Sequence, residues 1–184
     1  YAGSGGAYGL YTMGTGENNL STQQNILIDV SASGVAYGMH TNQSQGTQSL
    51  EAESITVKAF STGSMTGGFY HTSSFNSPNG FSVKTNELYI DVKSQQGANG
   101  TSGVIVGGAN SVCTIDADKV RIDAKGYGTT TSAYVTGMST TSGSSTITTS
   151  DEKMVINIDA NGYATGSGMR SGGGANTIQS RADT

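Results

Sequence analysis

The sequence predicts an all-β chain wound as a right-handed, three-sided parallel β-helix of about five to six coils, each of roughly 30 residues. Three observations predict it. Val, Ile, Thr and Tyr recur in short alternating runs. Strand-like elements return in a fixed order with a shared period. The stretches between them are rich in Gly, Asn, Ser and Thr, the residues that turn corners.

The clearest element reads ILIDVSA from Ile26, ITVKAFS from Ile55, LYIDVKS from Leu88, VRIDAKG from Val120 and INIDANG from Ile156. Centring these runs aligns Ile28, Val57, Ile90, Ile122 and Ile158, spaced by 29, 33, 32 and 36 residues. Because side chains alternate along a strand, Val120, Ile122 and Ala124 are expected inward, and Arg121, Asp123 and Lys125 outward. A second element precedes it, anchored at Leu20, Leu50, Phe81, Ile115, Ile147 and Ile178. A third, usually Gly followed by a bulky apolar residue, passes through Leu10, Met39, Tyr70, Ile105, Met138 and Met169. Three such elements per repeat describe one coil, with successive coils stacked about 4.8 Å apart. Variation in period falls at corners such as QQGANGTSG from Gln95 and SGGGAN from Ser171.

Composition agrees. Only 34% of the 184 residues are apolar, which suits a thin, elongated core better than a thick globule. One Pro and 12% charged residues argue against a linker or a charged disordered tail. A leucine-rich repeat lacks its L-x-x-L-x-L signature here, and a propeller would need a longer period with antiparallel hairpins. An antiparallel sandwich is the remaining alternative. Residues 1–184 read as one solenoid segment, a piece of a longer chain.

The degenerate strand pairs of the TIDADKVRIDAKG type, followed by a Gly-rich AYVTGM-like stretch, resemble the passenger region of bacterial autotransporter adhesins and the related haemagglutinin-like exoproteins. The resemblance covers nearly the whole chain. It implies export, a β-helical rod at the bacterial surface or outside the cell, and roles in adhesion, aggregation or display. The implied partner is a host or bacterial surface ligand, with a glycan as one candidate.

A net charge of −4 without a basic patch points away from nucleic acid, and no apolar run approaches the ~18 residues of a membrane span. No cofactor, metal or catalytic site is predicted. The aligned outward residues Asp29, Lys58, Asp91, Asp123 and Asp159 suggest either a solvated face or a weak calcium ladder. The solvated face is the better reading, since the GGxGxD nonapeptide of calcium-binding β-rolls does not occur. His40 and His71 are expected to stack on adjacent coils with Tyr11, as a surface stripe and not a zinc site, for which two imidazoles are too few.

Cys113 reads as a small residue tucked into a strand, with no activating base beside it. A T-x-T ladder of the ice-binding kind fails, because only Thr146 and Thr148 fit it. Tyr89, Tyr127 and Tyr163 are candidate sugar or partner contacts. The sequence therefore favours a non-catalytic structural or adhesive stalk. A self-assembling filament subunit is the alternative, and a polysaccharide-degrading β-helix enzyme the third reading.

Overall fold

The computed structural model describes residues 5–42, 47–72, 79–95, 100–129, 133–149 and 154–180. Their strands are β1 (Ala7–Met13), β2 (Asn18–Ser21), β3 (Asn25–Ala32), β4 (Val35–Asn42), β5 (Thr47–Ser61), β6 (Met65–Thr72) and β7 (Asn79–Ser94). They continue as β8 (Gly100–Gly107), β9 (Ser111–Gly128), β10 (Tyr134–Thr140), β11 (Ser144–Thr149), β12 (Met154–Gly162), β13 (Thr165–Ser171) and β14 (Ala175–Ser180). Every pairing is parallel, and the strands stack as a β-solenoid of about five turns.

Two sheets result. One has six strands in the order β1-β4-β6-β8-β10-β13. The other runs β14-β11-β9-β7-β5-β2, with β3 on β5 and β12 on β9. The first and second sequence elements thus share a sheet, and in β5, β7 and β9 they are successive halves of one strand. Between the halves the inward positions shift phase. Leu50 and Ala52 face in, then Ile55 and Val57, and the register passes from Ala52↔Thr85 to Ser54↔Glu87.

The core is a set of apolar columns. One is Leu20–Leu50–Val83–Ile115–Ile147–Ile178 and another Ile28–Val57–Ile90–Ile122–Ile156. The third is Leu10–Met39–Phe69–Val104–Met138–Met169. Each fully buried Ile or Val in the middle coils contributes about 1.5–3 kcal/mol relative to exposure. At both ends the same columns open to solvent, with Leu20, Met169 and Ile178 exposed.

These registers correct three expected alignments. Ile156, not Ile158, lies on Ile122, and Ile158 lies on Ala124. Val83, not Phe81, continues the second column, while Phe81 sits between Gln48 and Cys113. Phe69 and Val104 replace Tyr70 and Ile105 in the third, a one-residue slip that turns the two expected anchors outward.

Candidate functional site

The six-strand sheet is bent along a column of glycines, Gly9, Gly38, Gly68, Gly103, Gly137 and Gly168. Alternation breaks there: Gly38 and Met39 both face in, as do Gly68 with Phe69 and Gly103 with Val104. The opposite sheet fills the space a side chain would need. A Cβ on Gly38 would strike Val57 and lie 2.7 Å from the Gly68 carbonyl oxygen. On Gly103 it would strike Ile122 and lie 2.7 Å from the carbonyl of Gly137.

Outside this bend lies a crease. Residues three apart on an extended strand are separated by roughly 10 Å. Yet the rings of Tyr37 and His40 have centroids 5.0 Å apart, and those of Tyr8 and Tyr11 are also 5.0 Å apart. Tyr70 stacks on Tyr37 at 4.5 Å and meets His40 edge-on at 4.9 Å. His40 lies 5.1 Å from Tyr8 and 5.2 Å from Tyr11. These outward groups are therefore shielded: Tyr37 is 5% exposed and His40 7%.

The crease continues over Ser102, hydrogen-bonded to Thr136, and over Ile105, to Tyr134. The Tyr134 ring covers Gly100, and the Arg170 guanidinium lies 4.4 Å from the centre of that ring. Burial pushes the hydroxyls of Tyr37, Tyr70 and Tyr134 up from their usual range, with the neighbouring tyrosines adding to the shift at Tyr37 and Tyr70. Burial pushes the His40 imidazole down to about 4, and nearby His71 adds to the shift.

Amide side chains hold the corner beside the crease. Asn18 donates to the Tyr11 carbonyl at 3.1 Å, Gln48 to that of His40 at 3.3 Å and Asn176 to that of Arg170 at 2.9 Å. Asn18, Gln48 and Asn176 belong to one column, and Tyr11, His40 and Arg170 to another. The clamp therefore repeats at equivalent positions. In three coils between, the amide column holds Phe81, Cys113 and Ser145 instead.

The outer face of the eight-strand sheet is different in kind. Asp123 accepts from Tyr89 Oη at 2.9 Å, from Arg121 Nε at 3.1 and 3.0 Å, and from Asn157 Nδ2 at 2.7 Å. Burial raises this carboxyl, but the three donors outweigh it and hold it below its ordinary 3.8. Tyr89 is pushed up to about 12 by burial and by its bond to Asp123. Lys84–Glu51 at 3.4 Å and Lys119–Glu87 at 3.1 Å link neighbouring coils. A cleft of about 490 Å³ lies along the phase shift, lined by Glu51, Glu53, Lys84, Asn86, Asp116 and Asp118.

Against the sequence expectations, the aspartate column is corrected to Asp29–Lys58–Asp91–Asp123–Asn157. Asp159 stands beside Lys125 and pairs with it at 2.7 Å. His40 and His71 do not share a column: Tyr11–His40–Tyr70 is one and Thr41–His71–Val106 another. Neither is a surface stripe, since both are buried, His71 inside the solenoid near Phe81.

Cys113 is fully buried, and burial raises its thiol far from reactive range. Thr146 pairs with Thr177, whereas Thr148 pairs with Gln179, so the T-x-T row does not propagate. Tyr127 and Tyr163 are exposed, whereas Tyr89 is engaged by Asp123 and Arg121. The sequence reading aligned Tyr11 with His40 and named Tyr70 as an anchor, but it missed Tyr8 and Tyr37 and the crease itself, although pairs three apart around a Gly, Tyr8 with Tyr11 and Tyr37 with His40, carry its signal.

Among the described residues, no group of three or more His, Cys, Asp and Glu could hold a metal ion. Comparison with family models, with curated proteins and with solved structures finds no match to this chain.

Proposed function

We propose that this chain is a non-catalytic structural and adhesive stalk segment of an exported bacterial protein, at the cell surface or outside the cell. The observation that carries this reading is the continuity of the columns. Inward apolar residues and the glycine bend recur from coil to coil, so one cross-section extends along one axis. Such a stack holds its outer faces at fixed spacing, which suits multivalent contact with a repeating ligand such as a glycan.

Negative-stain images should show short rods of one width. Glycan arrays should retain the chain on a restricted set of sugars, without reducing-end release. Release would replace this reading with the polysaccharide-degrading one, and uniform failure to bind would remove the adhesive half of it.

A filament subunit is a second reading, favoured by the exposed apolar residues Leu20, Met169 and Ile178 on the first and last described coils. Continuing the columns from β13 and β14 onto β1 and β2 of a second copy sets Leu10 on Met169, Leu20 on Ile178 and Tyr11 on Arg170. Apolar groups then meet apolar groups and a ring meets a cation. Arg170 is the one charged side chain in those four strands, so no like charges oppose. Sedimentation velocity across a concentration series decides: head-to-tail growth supports the filament, and a single concentration-independent species rejects it.

A further inference from the structure

We propose that His40, caged by the rings of Tyr8, Tyr11, Tyr37 and Tyr70, is an acid-sensitive latch holding the first coil, β1 to β3, on the second. The cage has one movable wall. Among the described strands, β4 is paired on both sides, by β1 and β6, whereas β1 is paired with β4 alone. Tyr8 and Tyr11, the rings that β1 contributes, are 40% and 43% exposed, while His40 behind them is 7% exposed. Peeling β1 away is thus the cheapest way to bring water to the imidazole, whose buried Nδ1 has no hydrogen-bond partner.

Among the described residues, no carboxylate offsets a charge there. β1 brings only tyrosines, β4 adds Tyr37, and β6 brings Tyr70 and the second histidine, His71. Asp29 of β3 and Glu51, Glu53 and Lys58 of β5 are exposed on the outer face of the other sheet. His71 adds to the cost of a charge on His40.

The sign follows from where the proton binds. The folded cage resists protonation down to about 4, whereas an unfolded histidine takes a proton near 6.5. The latch is therefore fully closed above 6.5 and weakens as pH falls from 6.5 towards 4. For one histidine the opening constant rises at most about tenfold per pH unit through that window. Asp123 and Asp159 act lower, since both carboxyls are held below 3.8.

The test is hydrogen exchange between pH 7 and 4.5, expressed as protection factors corrected for intrinsic exchange. Residues 7–32 should lose protection in that window while residues 134–149 keep theirs, and His40→Phe should abolish the loss. Uniform loss along the chain would overturn the latch, as would unchanged pH dependence in His40→Phe. Should that variant fold poorly, NMR titration of the His40 ring in the unaltered protein decides. A midpoint well below 6.5 supports the latch, and one at or above 6.5 overturns it.

Discussion

The two sheets turn very different outer faces to the solvent. On the eight-strand sheet the outward side chains are mostly polar, and the charged ones pair across coils in water: Lys84 with Glu51, Lys119 with Glu87, Lys125 with Asp159. On the six-strand sheet the outward side chains are mostly aromatic or small, with Ile105 and Arg170 among them, and many are as buried as the core. The cause is geometric. A flat strand leaves its outer face open, whereas the glycine column lets the six-strand sheet fold inward until its own outer residues touch. One face is a solvated surface, and the other is a second core built outside the first.

Gly103→Val breaks that contrast most severely. Strand propensity alone favours the change, because Val suits a β-strand and Gly does not. The bend reverses the sign, since a Cβ there meets Ile122 and the Gly137 carbonyl. We expect a loss of about 3 kcal/mol or more in denaturant unfolding. Gly168 occupies the same column at the open end, and a Cβ there meets nothing within 4 Å. Gly168→Val should therefore change stability by less than about 0.5 kcal/mol. Equal losses in the two variants would mean that glycine serves the backbone and not the approach of the sheets.

Tyr37→Ala probes the outer core itself. If the crease packs as a core, removing this ring costs about 3 kcal/mol, as for a buried aromatic. An ordinary surface position would give less than about 0.5 kcal/mol. The buried hydroxyls predict a pH signature as well. Tyr37 and Tyr70 are raised in the folded chain, so their contribution is complete below 10 and is lost as pH climbs above it. Thermal melts between pH 8 and 11 should show that alkaline limb, and Tyr37→Phe should shrink it.

The solenoid was legible because its apolar period is long, regular and carried by several columns at once. Its registers were less so, for two physical reasons. A two-residue slip leaves every side chain on the same face, so alternation cannot separate Ile156 from Ile158 opposite Ile122, or Val83 from Phe81 beside Leu50. The repeated Ile-Asp-Ala of β9 and β12 then favours the wrong choice. The one-residue error at Tyr70 and Ile105 has another origin. Phe69 and Val104 each follow a glycine directly, as Leu10, Met39, Met138 and Met169 do, so the sign was in the sequence. Two successive inward residues at the glycine bend violate alternation, however, and strict alternation misleads there. The crease was hidden for the same reason, since it exists only once the bend is known.

Arg121→Ala sharpens the comparison from the solvated side, and it should be the smallest effect of these. Arg121 is exposed and shares Asp123 with Tyr89 and Asn157, so the carboxylate keeps two donors when the guanidinium is gone. A surface pair of this kind is worth less than about 1 kcal/mol and is screened further by salt. Its acid dependence also lies apart from that of His40. Asp123 is lowered in the folded chain, so its share of stability is complete above 3.8 and disappears as pH falls through the lowered value. Melts from pH 7 to 2 should therefore show Arg121→Ala flattening only the limb below 3.8, while His40→Phe removes the decline between 6.5 and 4. Were Arg121→Ala to alter the upper limb, the outer faces of the two sheets would be coupled through the core, and their separation into a solvated face and a packed one would fail.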